Sequence, residues 1–246
     1  LDGGGAYINI ESDPIFENVQ ISDNTANDDG GGVWISGSNS DPLMNNMVIS
    51  NNSASGEGGG IWLTHDNGNP VLTIHSSTIS NNSASSGGGI GNYGCTVNVS
   101  YTTISGNTTS IPGGTQGGGF YGVGGTLKMD HVEITDNTAA STGGGLYCQS
   151  ITSTLNHLTI SDNTANGGGG GLRVCCDGPV NIENSIFYNN SPQEISYSSN
   201  DGSPNIINVL YSNVSGGQDS VEFGESNDSL YWGPGNIDVD PFFADT

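Results

Sequence analysis

Lys128 and Arg173 are the only basic side chains apart from four histidines, and they stand among 25 Asp and Glu residues, for a formal charge of −23. A uronate lyase needs a base to take a carbon-bound proton and cations to neutralise the substrate carboxylate. Two scattered cations are a poor fit to that task. A glycoside hydrolase needs two carboxyl groups roughly 5–10 Å apart, and among the many acidic pairs none is singled out. An anionic polysaccharide would also be repelled unless Ca2+ bridged it to the protein. The same charge balance excludes nucleic acid and an anionic membrane surface as partners, because both need a basic footprint. With no stretch approaching 18 apolar residues, direct insertion into a membrane as a helix is excluded as well.

Metal-ligating residues are present but sparse. His131 and His157 occupy the same place in successive repeats, and Asp130 and Glu133 lie beside the first. Two imidazoles alone are short of the three or four protein ligands that Zn2+ usually takes. Asp136 and Asp162 are likewise equivalent. Stacked like charges are costly unless a cation lies between them, so Ca2+ at Asp136 and Asp162 is one expectation and two solvated carboxylates the other. Cys148, Cys175 and Cys176 fall close together on neighbouring repeats. A disulfide from Cys148 to Cys175 or Cys176 suits an exported protein, and Cys95 is left free and buried.

What must position these residues is a repeat. Gly triplets occur at 3–5, 30–32, 58–60, 87–89, 117–119, 143–145 and 169–171, with centres 27, 28, 29, 30, 26 and 26 apart. A second marker, Ile-Ser-(Asp/Asn)-Asn or a near variant, ends at Asn24, Asn52, Asn82, Asn107, Asn137, Asn163 and Asn190. Before each marker, apolar residues alternate with polar ones, as in Val19 and Ile21 or Val132 and Ile134. Period-two alternation over three to five residues predicts short strands with one buried face. The expected fold is therefore all-β: a right-handed parallel β-helix of about eight or nine coils, each of three short strands in 26–30 residues. At a strand spacing of ~4.8 Å this makes a rod on the order of 40 Å long. A propeller blade would need about 40 residues and four strands. Residues 1–200 are assigned to the repeats, and 201–246 to a last coil and irregular cap of the same domain.

Stacking turns equivalent positions into columns. The Gly triplets suit corners where a Cβ would clash, and the marker Asn suits the opposite corner, taking left-handed geometry and stacking into an amide ladder. Two residues after each triplet come Tyr7, Trp34, Trp62, Gly91, Tyr121, Tyr147 and Arg173. Alternation places them outside, as an aromatic stripe that either contacts glycans or proteins or packs upon itself.

The segments TISNNSASSGGGIGNYG (78–94) and LTISDNTANGGGGGL (158–172) resemble repeats of secreted bacterial right-handed parallel β-helix proteins and, more distantly, those of polymorphic outer-membrane proteins. The stretches at 185–195 and 235–243 are similar to the closing end of such domains, which in that group usually precedes a surface-sorting domain. The resemblance implies export and the bacterial cell surface and carries little about activity. The Gly-His-Gly and Arg-Ile-Lys motifs of the fold's active relatives are absent. The chain opens inside a repeat, as a processed form or a piece of a longer protein would.

These features together lead to an expectation of a non-catalytic extracellular or surface rod. Its role would be structural or adhesive, with itself or surface glycans as partner. A glycan-binding module and a Ca2+-dependent polysaccharide lyase or glycoside hydrolase are the alternatives.

Overall fold

A computed structural model describes residues 3–9, 11–37, 39–65, 68–110, 116–198, 204–224 and 227–243. The expected change at residue 201 lies outside the described residues. The chain is a parallel β-solenoid in which every named strand pairing is parallel and joins neighbouring coils. One face is an eight-stranded sheet taking one strand from each coil, from Ala6–Asn9 through Val33–Ser36 and Ile61–Thr64 to Ile195–Tyr197. A 15-stranded sheet forms the long, bent face, and a six-stranded sheet of two-residue strands closes the coil.

The typical coil therefore adds a fourth, two-residue strand to the expected three: Val33–Ser36, Leu43–Asn45, Val48–Ser50 and Ser53–Ala54. The last follows directly on the marker Asn, where a Ser/Thr-Ala pair is too short to show alternation. In two central coils the middle strands fuse into the ten-residue strands Thr96–Ser105 and Thr126–Thr135. Inside, Ile35, Met44, Ile49, Leu63, Leu72, Ile74 and their equivalents are fully buried in one continuous core. No coil encloses enough apolar surface by itself, so each is stable only between neighbours.

The corners explain the markers. In the triplet Gly58-Gly59-Gly60, the first residue has φ 67°, and a Cβ on the second would lie 2.5 Å from the Gly88 carbonyl oxygen of the next coil. A Cβ on the third would press on the Asn82 amide at 3.0 Å. Left-handed backbone, a carbonyl of the next coil and the amide column thus each exclude a side chain.

The left-handed turn at the opposite corner belongs to the residue before each marker Asn, not to the Asn itself as expected. Asp23, Asn51, Asn81, Asp136, Asp162 and Asn189 have φ between 55° and 60°, and Gly106 takes φ 63° in the same column. The turn frees the following Asn to point inward. Asn24, Asn52, Asn82, Asn107, Asn137, Asn163 and Asn190 form an unbroken ladder: each of the first six donates its backbone N–H and its Nδ2 to Oδ1 of the next, at 2.9–3.1 Å. From Asn52 onward the second Nδ2 hydrogen reaches the Ile carbonyl of the preceding coil, for example Asn137 to Ile104 at 2.9 Å. Every polar atom of a buried amide is satisfied in this way.

The ladder ends on a carboxylate. Asn190 donates its backbone N–H and its Nδ2 to Glu194, the latter at 2.5 Å to Oε2. Glu194 is 6% exposed. Burial pushes its carboxyl up to about 7, against the hydrogen bonds from Asn190.

Two outcomes follow from this column. Asn137→Leu strands the amide of Asn107 and the Ile104 carbonyl, and at ~1–3 kcal/mol per orphaned buried group it should cost about 3 kcal/mol or more in urea unfolding; an unchanged midpoint would refute the ladder. Glu194 holds its proton to about pH 7 in the fold but only to 4.5 in the unfolded chain. Its stabilising contribution is therefore complete below 4.5 and lost as the pH rises through 7. The decline of Tm across that window should be shallower in Glu194→Gln than in the parent, measured by circular dichroism.

Candidate functional site

Two columns of side chains follow from the coil register. On the eight-stranded face, Tyr7, Trp34, Trp62, Gly91, Tyr121, Tyr147 and Arg173 lie in direct register, one per coil. The rings do not make the open stripe that alternation alone implies. Trp62 is only 5% exposed and Tyr147 only 2%. Gly91 is the reason for the first: with no side chain there, the Trp62 indole lies over the gap, where a Gly91 Cβ would meet Cε3 at 2.5 Å. Tyr147 is stacked on Tyr121 at 5.6 Å and packed against Cys175 and Cys176. Tyr7 stacks on Trp34 at 4.6 Å and stays 49% exposed. Arg173 ends the column, donating from Nη1 to Ser196 Oγ at 3.0 Å.

The cysteines correct the expected pairing. Cys148 is in register with Val174, and Gln149 with Cys175. The one-residue offset sends Cys148 into the main core and Cys175 to the outer cluster, so no bridge joins them. The disulfide connects Cys175 to Cys176, while Cys95 and Cys148 are free and buried. Burial pushes both thiols up to about 12. They are packing groups rather than nucleophiles.

The second column runs along the bend of the long face, six residues before each marker: Asn18, Asn46, Ser76, Tyr101, His131, His157 and Asn184, all with φ between 48° and 56°. Left-handed backbone stands these side chains out from the rod. Tyr101, 56% exposed, stacks on His131 at 4.8 Å, and His131 stacks on His157 at 4.4 Å. Asp130 reaches both imidazoles, with Oδ2 3.0 Å from His131 Nδ1 and Oδ1 3.1 Å from His157 Nδ1. The His157 and His131 hydrogen bonds hold its carboxyl below the usual carboxylate range. Beside this cluster lies an open groove of about 400 Å3 that includes Asn98, Ser100, Lys128 and Asn156.

Sequence reasoning saw the two histidines and Asp130 but not the stacking of Tyr101 on them. The signal was present, since Tyr101 occupies the same repeat position. Asp136 and Asp162 are on adjacent coils in a shallow groove with Glu133, and Asp162 Oδ1 accepts from Asn189 Nδ2 at 2.5 Å. Lys128 and Arg173 belong to different sheets and do not converge.

If the first column is packing, truncation should follow burial. Trp62→Ala should lower stability by about 3–5 kcal/mol, the range for deleting a buried aromatic ring, whereas Tyr7→Ala should cost under about 1 kcal/mol. Equal effects in thermal melts would contradict this.

Residues 46–64 and 131–149 match the Chlamydia polymorphic membrane protein repeat. No curated protein and no solved structure matches the chain. The two matched segments are structurally equivalent. Each starts at a left-handed corner, Asn46 or His131, and passes the ladder Asn, the two-residue strand and the Gly triplet. Each ends with a strand of the eight-stranded face, Ile61–Thr64 or Leu146–Gln149. The matched repeat is thus one structural unit of this all-β solenoid.

Proposed function

We propose that the chain is an exported, non-catalytic rod of the bacterial cell surface, structural or adhesive in role. The observation that carries this reading is the coincidence just described: repeats of a Chlamydia membrane protein family fall on equivalent stretches of a uniform solenoid. That supports a β-helical protein at the bacterial outer surface.

The chemistry of the faces agrees with a rod rather than an enzyme. Two carboxyls are raised to about 7 by burial, Glu194 and Glu57, the latter also by the neighbouring Asp29. Glu57 makes an isolated bridge to Ser86 and Glu194 is tied to Asn190 at the end of the ladder, so these two carboxyls do not face each other. Glycan recognition by the first aromatic column is weakened by the rings' stacking on one another.

An antibody raised against the purified chain should label intact cells of the source bacterium, and cells lacking the chain should attach less to surfaces or lose envelope integrity. Labelling only after permeabilisation would overturn the proposal.

A further inference from the structure

We propose that Asp130, His131 and His157 form a surface site for one divalent transition-metal ion. One ligand atom from each residue lies within 4.8 Å of the other two. In a tetrahedral site with Zn–N and Zn–O bonds of about 2.0–2.1 Å, ligand atoms are separated by roughly 3.4 Å. The Asp130 oxygens already stand 3.0 and 3.1 Å from the two Nδ1 atoms. For both Nδ1 lone pairs to converge on one ion, the two exposed imidazoles must turn out of their stack.

The fold holds this arrangement from below. Asp130 pairs with Asn156 in the sheet register, so His131 lies over His157. Both histidines have left-handed backbone, φ 54° and 53°. Tyr101 packs on the other face of the His131 ring. Asn156 donates to Asp130 Oδ1 at 2.9 Å and accepts from Asn184 Nδ2 at 2.9 Å. Such outer contacts fix the orientation of a ligating carboxylate.

His157 Nδ1 has two polar neighbours, Asp130 Oδ1 at 3.1 Å and Asn156 Nδ2 at 2.8 Å. A proton on Nδ1 serves the carboxylate and opposes the amide donor; a lone pair does the reverse. A metal ion on Nδ1 would replace the proton that faces the carboxylate and take up the lone pair, which leaves the Asn156 amide to Asp130 Oδ1. Two imidazole nitrogens with one carboxylate suit Zn2+, Cu2+ or Ni2+ rather than Ca2+. The side chains of His131 and His157 are 45% and 44% exposed, which leaves the remaining coordination positions open to water.

The test is calorimetric titration of the chelator-treated chain with Zn2+, paired with NMR of the histidine rings. One ion per chain is expected, with the resonances of His131 and His157 shifting and those of His65 unmoved. His131→Ala, His157→Ala and Asp130→Asn should each weaken binding by about tenfold or more, at least the loss produced by removing an outer-sphere contact. His65→Ala should leave it unchanged. Circular dichroism establishes that each exposed substitution keeps the fold. Absence of stoichiometric binding, equal perturbation of His65, or unaltered affinity in all three variants would overturn the site.

Discussion

The structure depends on one constraint: residues a coil apart must lie directly over one another, and the buried Asn ladder enforces it. An apolar core is tolerant of small slips, because one methyl packs much like another. An amide column is not. If Asn107 moved one residue along its coil, Oδ1 would leave two donors of Asn82 unserved and Nδ2 would lose both acceptors. In a dry interior each of those losses is severe. The ladder therefore sets register for the three sheets that radiate from it, and the Gly triplets let neighbouring backbone approach the amides closely enough to complete it.

With register fixed, coils differ only at their surfaces. This is why ladder residues 25 apart, as Asn82 and Asn107, and 30 apart, as Asn107 and Asn137, keep the same pairing. It is also how two histidines and an aspartate from neighbouring coils come together. A repeat protein gains local chemistry by coincidence of column and coil, with no dedicated loop.

Much of this was legible from the sequence. The all-β solenoid, the ladder residues and the membership of both surface columns follow from spacing alone, because spacing is what the coil register conserves. The parts that were not legible depend on a single residue of offset or on a missing side chain. The left-handed turn sits one place before the Asn, since the Asn must turn inward to pair. Cys148 and Cys175 look adjacent by repeat position, yet strand alternation sends them to opposite faces. Trp62 is buried because its neighbour in the column is Gly91, an effect of the adjacent coil that no pattern within one coil contains. The carboxylate that terminates the ladder comes from Glu194, four residues beyond Asn190, where the repeat marker has already ended.

The ladder also bears on how long such a molecule stays chemically intact. Spontaneous deamidation begins when the backbone nitrogen after an Asn attacks its side-chain carbonyl, forming a cyclic imide. After Asn52, Asn82, Asn107, Asn137, Asn163 and Asn190 that nitrogen belongs to Ser53, Ser83, Thr108, Thr138, Thr164 and Ser191. Each donates to the carbonyl of the previous ladder Asn at 2.8–2.9 Å. The nucleophile is held in a strand and the electrophile in a sealed column, so ring closure has no room to start. A chain rich in the most perishable amide side chain thereby shelters the very copies whose conversion to aspartate would place a charge at its centre.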